Sequence, residues 1–191
     1  MENTERLFRS NFESIYLSNF PGMVRFACEY TVSEDDAKNI VQDAFTEIWD
    51  KRLTLDPDRK HLLALLFTSI KNRCIDFLRH QTVVREAENV IQEEFRRDRK
   101  MRFDSLKIFD EELLASEENI EDLIRKAIDA LPEQCRAIFI KNKLEGKKQK
   151  DIAAEMQLSV NTIETQMSIA YRKLKQSLKN HIPLLLFLTM I

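Results

Sequence analysis

An all-α protein of two small helical domains, joined by an acidic linker and carrying a helix-turn-helix in the second, is the fold class this sequence predicts. Three observations point there. The 191 residues include only 2 Gly and 4 Pro, whereas sheets need many tight turns and glycine supplies many of them. The hydrophobic share is 43%, enough to build cores, and the apolar residues recur at helical spacing. Finally, charge is segregated. Residues 51–85 hold eight bases (Lys51, Arg52, Arg59, Lys60, Lys71, Arg73, Arg79, Arg85) against three acids (Asp56, Asp58, Asp76). Residues 110–122 hold seven acids and no base, and residues 141–180 hold nine bases and four acids. The net charge of −2 therefore hides two basic patches around an acidic segment, and phosphate contacts depend on local potential more than on net charge.

The elements follow in order. Residues 1–85 form a first domain of several helices. Ser33 caps one of them, with Glu34, Asp35 and Asp36 in its first turn. Its apolar face is Ile40, Val41, Ala44, Phe45, Ile48 and Trp49, opposite Lys38, Asn39, Gln42, Asp43, Thr46, Glu47 and Asp50. A loop from Leu53 to Lys60 contains Pro57. A longer helix then runs from about His61 to Gln81, with Leu62, Leu63, Leu66, Phe67, Ile70, Cys74, Phe77 and Leu78 inward. Residues 86–118 lose any persistent apolar face and read as the linker, although for residues 90–102 a solvated extension of the neighbouring helices fits equally well.

The second domain, 119–181, opens on the stripe Ile120, Leu123, Ile124, Ala127, Ile128 and Leu131. Pro132 interrupts it and suits the first turn of a new helix, which runs to about Leu144 and ends at Gly146. Residues 182–191, IPLLLFLTMI, form an apolar tail. A bilayer span needs about 20 residues. The tail is therefore either packed on its own protein or a docking segment for a partner or membrane surface.

Several function classes find no support. There is no Gly-rich phosphate loop, no HExxH, no Ser/His/Asp pattern and no carboxylate pair in an apolar setting, and His61, His80 and His181 are scattered. The chain is not expected to be an enzyme, and no cofactor, metal or small-molecule substrate is expected. Cys28, Cys74 and Cys135 are far apart, odd in number and without a CxxC pair. That argues against a disulfide framework or zinc site and fits a cytoplasmic location. The polar opening MENTERLFRS does not read as a signal peptide.

Two segments carry candidate chemistry. In KKQKDIAAEMQLSVNTIETQMS (147–168), Ile152, Ala153 and Met156 give the inner face of a first short helix, Leu158 fills the turn and Ser159 caps the next. Ile163, Met167 and Ala170 face inward; Asn161, Thr162, Glu164, Thr165, Gln166 and Ser168 face out. A short polar helix tip suits the major groove. Lys148 and Lys150 before it, and Arg172, Lys173, Lys175 and Lys179 after it, suit phosphates. Read alone, the segment is a DNA reader or a generic helical hairpin. The second segment, LFTSIKNRCIDFLRHQ (66–81), puts Lys71, Asn72, Arg73, Asp76, Arg79 and His80 on a polar, mainly basic face. A backbone contact and a solvated helix face explain it equally well.

Taken together, the chain resembles an extracytoplasmic-function sigma factor, a small two-domain member of the sigma-70 family, from about Phe12 to Leu178. DDAKNIVQDAFTEIWDKR (35–52) is similar to the helix that docks on RNA polymerase. LLALLFTSIKNRCIDFLRH (62–80) is similar to the segment that opens and reads the minus-10 element. AIDALPEQCRAIFIKNKLEGKKQKDIAAEMQLSVNTIETQMSIAYRKLKQSL (127–178), the most specific of the three, is similar to the minus-35 reader. The resemblance implies core RNA polymerase and promoter DNA as partners, together with an anti-sigma factor able to hold the protein near the inner membrane. It puts Gln42, Asp43, Thr46 and Glu47 toward polymerase, with Phe45 and Trp49 as anchors. It puts Asn72 at a pocket for a flipped promoter base, followed by Asp76 and Arg79 in the same motif.

Three departures stand out. A common tryptophan is Leu65, the turn glycine is Gln157, and often-basic positions of the recognition helix are Glu164 and Gln166. Two other functions remain to be weighed: a stand-alone helix-turn-helix regulator, and a helical adaptor docking through its tail.

Overall fold

The computed structural model describes residues 2–52, 56–87, 100–109 and 119–191, with only the helical backbone at residues 2 and 82–87. All regular structure among them is helical. The elements are α1 (Glu2–Cys28), α2 (Glu34–Asp50), α3 (Arg59–Ala87), α4 (100–109), α5 (Ile120–Asp129), α6 (Glu133–Phe139), α7 (Gln149–Met156), α8 (Val160–Ser177) and α9 (Ile182–Met190). The last turn of α6 widens into a π-helical turn at Ile140–Leu144.

Local chemistry explains the starts and stops. Ser33 Oγ accepts from the Asp36 amide at 3.1 Å, Asn119 Oδ1 from Asp122 at 2.7 Å, and Ser159 Oγ from Thr162 at 3.0 Å. Each satisfies one of the orphan amides of a first helical turn. Pro132 sits just before α6, where its missing N–H costs nothing. Gly146 has φ +70 and ends the π turn.

The first half packs α2 and α3 against α1, a helix that continues through Pro21. Phe12 forms the joint: its ring lies 5.5 Å from Phe45 in a T-shaped contact and 5.2 Å from Trp49. The apolar positions expected on α2, α3 and α5 are buried, apart from Trp49 and Phe77, which are half-buried. In the second half α5, α6 and α7 pack on α8.

One finding was not expected, and one open reading is decided. The charged stretch read as a linker contains α4, whose Leu106 and Phe109 are buried while Arg102 donates to the Glu29 carbonyl. Its acidic run, 110–118, lies outside the described residues. The tail is an ordered helix, α9, packed on α1. Leu184, Phe187 and Leu188 are fully buried. The Phe187 ring meets Phe26 at 5.5 Å and Phe67 at 5.2 Å. Of the two readings of the tail, burial in its own protein is the observed one. Among the described residues no helix is long and apolar enough to cross a membrane.

The halves touch through polar groups as well. The last carbonyls of the π turn, which no amide of their own helix can reach, are taken by donors of the first half. Asn19 Nδ2 donates to Lys143 O at 2.8 Å, Arg59 Nη1 to Leu144 O at 3.1 Å, and Ser14 Oγ to Glu145 O at 3.0 Å. Lys60 pairs with Asp129 at 2.9 Å and His61 with Glu121 at 2.7 Å.

Candidate nucleic-acid interface

Between α2 and α3 lies an open cleft of about 440 Å³, with Ile48 and Leu65 as apolar wall and Glu47, Lys51, Thr68, Ser69, Asn72, Arg73 and Asp76 as polar lining. Asn72 is exposed there, with an amide that both donates and accepts. Leu65, where the resemblance has a tryptophan, leaves this wall smaller. Asp76 and Arg79 pair with each other at 3.3 Å, and His80 is exposed on the same helix.

Arg73 does not lie free on the basic face. Its Nη2 is 3.3 Å from Glu47 Oε2 and its Nη1 3.5 Å from Asp43 Oδ2, while its Nε donates to Ser69 Oγ at 3.4 Å. Glu47 also accepts from Lys51 at 2.7 Å and Ser69 at 2.9 Å. These bonds, from Lys51 first, then Ser69, with Arg73 adding, pull its carboxyl down to about 2. The network ties α2 to α3 at the cleft.

Lys71, expected on the reading face, does not present itself there. It is 3% exposed, and its amine lies 6.0 Å from the centre of the Phe109 ring. The physical reason is α4: that helix covers this side of α3, and a cation over an aromatic face keeps part of its electrostatic solvation when buried. Of the expected polymerase-facing residues, Gln42, Asp43 and Thr46 are exposed on α2, and Glu47 is drawn inward by its partners.

The helix-turn-helix is α7, a turn and α8. Gln157 caps α7 in the left-handed region, φ 55 and ψ 40, where glycine is the usual occupant. On α8, Asn161, Glu164, Thr165 and Ser168 are exposed. Thr165 and Ser168 donate back to the carbonyls of Asn161 and Glu164 at 2.9 and 3.0 Å, so their hydroxyls lie along the helix. Thr162 is half-buried, 2.8 Å from the capping Ser159 hydroxyl. Gln166 is half-buried too, at the edge of the tip, and its carbonyl accepts from the Cys135 thiol at 3.2 Å. Lys148 and Lys150 are exposed before this tip, and Arg172 and Lys173 are exposed farther along α8.

A brace that sequence reading missed holds the hairpin to α6. Glu155 accepts from Lys141 at 2.5 Å and Lys147 at 2.6 Å, and these two bonds pull its carboxyl down to about 2. Lys147 and Glu155 lie eight residues apart, too far to be seen as a pair on one helical turn. The cross-helix partners of Arg73 left no local signal either; only the pairs four apart, Glu47 with Lys51 and Ser69 with Arg73, were readable as neighbours. Among the described residues no group of His, Cys, Asp or Glu is arranged to hold a metal ion.

Residues 15–83 match the family model described as Sigma-70 region 2, and residues 121–174 match the one described as Sigma-70, region 4. The first match contains α2, the cleft and most of α3; the second contains α5 to α7 and most of α8. No curated protein and no solved structure matches the chain.

Proposed function

The chain belongs to the sigma-70 family, and we propose that it is of the small extracytoplasmic-function type, with its polymerase contact on α2 and its promoter contacts on α3 and α8. As a sigma factor it binds core RNA polymerase and recognises the minus-10 and minus-35 promoter elements. The observation that carries the reading is that region 2 and region 4 occur on one chain, in that order, with only one short helical segment described between them.

The division of labour follows from the chemistry of each surface. Gln42, Asp43 and Thr46 form an exposed polar face beside a helix anchored by Phe45, which suits a protein partner. Asn72 opens onto the cleft, and a base flipped out of a melted duplex offers its pairing edge to such a group. Asp76, Arg79 and His80 extend that surface along the single strand. On α8, Asn161, Glu164 and Thr165 meet base edges in the duplex, with Gln166 and Ser168 beside them. Lys148, Lys150, Arg172 and Lys173 hold phosphates. Lys71 supports α3 from behind, through Phe109, and Arg73 braces it at the cleft, through Glu47. Chemistry belongs to the polymerase, and this chain positions DNA for it. The type also implies an inhibitory anti-sigma partner covering these surfaces.

The test is a pull-down with core polymerase followed by run-off transcription on genomic promoters. The expected result is stoichiometric association and discrete promoter-dependent transcripts. Direct duplex binding without any polymerase association would favour a stand-alone regulator and end this reading. The adaptor alternative loses its footing in the burial of α9.

A further inference from the structure

The apolar helix α9 lies beyond both matched regions, which end at residues 83 and 174, yet its Pro183, Leu184, Phe187 and Leu188 are buried. It is seated on the first half: Phe187 fills the space between Phe26 of α1 and Phe67 of α3. Its end is tied down by three groups. Arg25 donates to the Met190 carbonyl at 2.7 Å, and Lys143, a residue of the second half, donates to the Ile191 carbonyl. Gly22 faces the same backbone so closely that an added Cβ would lie 2.2 Å from Met190 O and 2.5 Å from Ile191 Cα.

The chain has 2 glycines, and both stand where α1 receives the second half. At Gly146 an added Cβ would lie 1.7 Å from Ser18 Oγ. A helical glycine gives up helix propensity, so Gly22 is tolerated in α1 for the sake of this contact.

Length then sets a limit. Only residues 178–181 separate the end of α8 at Ser177 from the start of α9 at Ile182. Fully extended, that link reaches about 15–20 Å. While α9 stays docked, the end of the recognition helix remains within that reach of the first half. The minus-10 and minus-35 elements are separated by roughly 25 base pairs, or about 85 Å at 3.4 Å per pair. A compact chain of this length has a radius of gyration of about 16 Å and cannot bridge that span.

We propose that α9 is an intramolecular clasp: docked on α1 and α3 it holds region 4 against region 2, and the chain releases it to reach both promoter elements at once. This rests on the two-element reading above. Release exposes an apolar helix, so docking favours the closed form, and polymerase engages the open fraction. The apparent affinity is reduced by the size of that fraction.

The test compares the full chain with Gly22→Ala and Arg25→Ala. The first places a methyl against the α9 backbone while favouring the α1 helix. The second removes a donor at an exposed position and touches no core. Small-angle scattering of the wild-type chain should give about 16 Å, and each variant should rise by several ångström with its helical circular dichroism unchanged. In run-off transcription with limiting polymerase, the variants should reach half-maximal signal at a concentration at least about threefold lower. Unchanged radius and unchanged half-maximal concentration in helical variants would overturn the clasp, as would an extended wild-type chain. Should Gly22→Ala lose helicity, Arg25→Ala decides by the same two readouts. Absence of transcripts at any concentration would instead count against the sigma reading, and scattering would still judge the clasp.

Discussion

Arg73 provides a quantitative test of whether a basic residue on a DNA-facing helix serves DNA or its own fold. Its guanidinium lies 3.3 Å from Glu47, with side chains 35% and 39% exposed, and 3.5 Å from Asp43, which is 66% exposed. Exposed ion pairs couple by 0.2–1 kcal/mol, and the half-buried Glu47 pair, shared with Ser69, belongs at the upper end. A double-mutant cycle on Glu47→Ala and Arg73→Ala, read by urea unfolding at neutral pH and low salt, should give a coupling of about 1 kcal/mol. The Asp43 and Arg73 cycle should give about 0.3 kcal/mol. The Glu47 carboxyl is lowered from 4.5 to about 2, so its stabilising contribution is complete above pH 4.5 and lost as pH falls toward 2. The coupling should therefore shrink across that window. The salt dependence of promoter binding by the polymerase complex gives the independent reading. Each phosphate contact contributes about 0.9 to the slope of log K against log salt. Arg172→Ala on α8 should lower the slope by about that amount, and Arg73→Ala should leave it unchanged. A fall of about 0.9 for Arg73→Ala, with Glu47 coupling below about 0.3 kcal/mol, would refute the structural role and return Arg73 to the phosphate backbone.

Other expectations are narrower. Gln157→Gly relieves a left-handed side chain at the turn of the helix-turn-helix and should stabilise the protein by about 0.5–1 kcal/mol, seen as a thermal midpoint raised by a few degrees. Asp43→Arg should weaken capture by core polymerase at least tenfold, about 1.4 kcal/mol, while leaving circular dichroism unchanged. Glu164→Ala should alter base preference in the minus-35 element, measured by run-off on a randomised promoter library; unchanged preference would remove Glu164 from the reading surface. Asn19→Ala leaves the Lys143 carbonyl buried without its donor and should cost about 1–3 kcal/mol, read by thermal unfolding.

What was legible in the sequence is what one helix decides for itself. Ser33 and Ser159 are caps because a short polar side chain there reaches an amide two or three residues on. The stripes of α2, α3 and α5 were legible because burial repeats with the helical period. The fate of Lys71 was not. Its burial depends on α4, whose Phe103, Leu106 and Phe109 are interleaved with Asp104 and Lys107 and so present no clean face in a window of sequence. The seat of α9 was equally hidden, since an apolar decapeptide fits a bilayer surface, a partner or a groove, and only the packing of Phe26 and Phe67 chooses among them. At the candidate site the exposed residues of α8 were readable from the helical repeat. The acidic partners of Arg73 come from another helix and left no local trace.

The carbonyls of Lys143, Leu144 and Glu145 have a further consequence for how the molecule comes apart. They end on Asn19, Arg59 and Ser14 instead of on a cap of their own. Water replaces a donor of this kind at a net loss near 1 kcal/mol, far less than the gross strength of the bond. At these three points the joint is therefore rehydrated more readily than a greasy seam, and it can be closed again without becoming trapped. A joint that exchanges protein donors for solvent suits the opening proposed for α9.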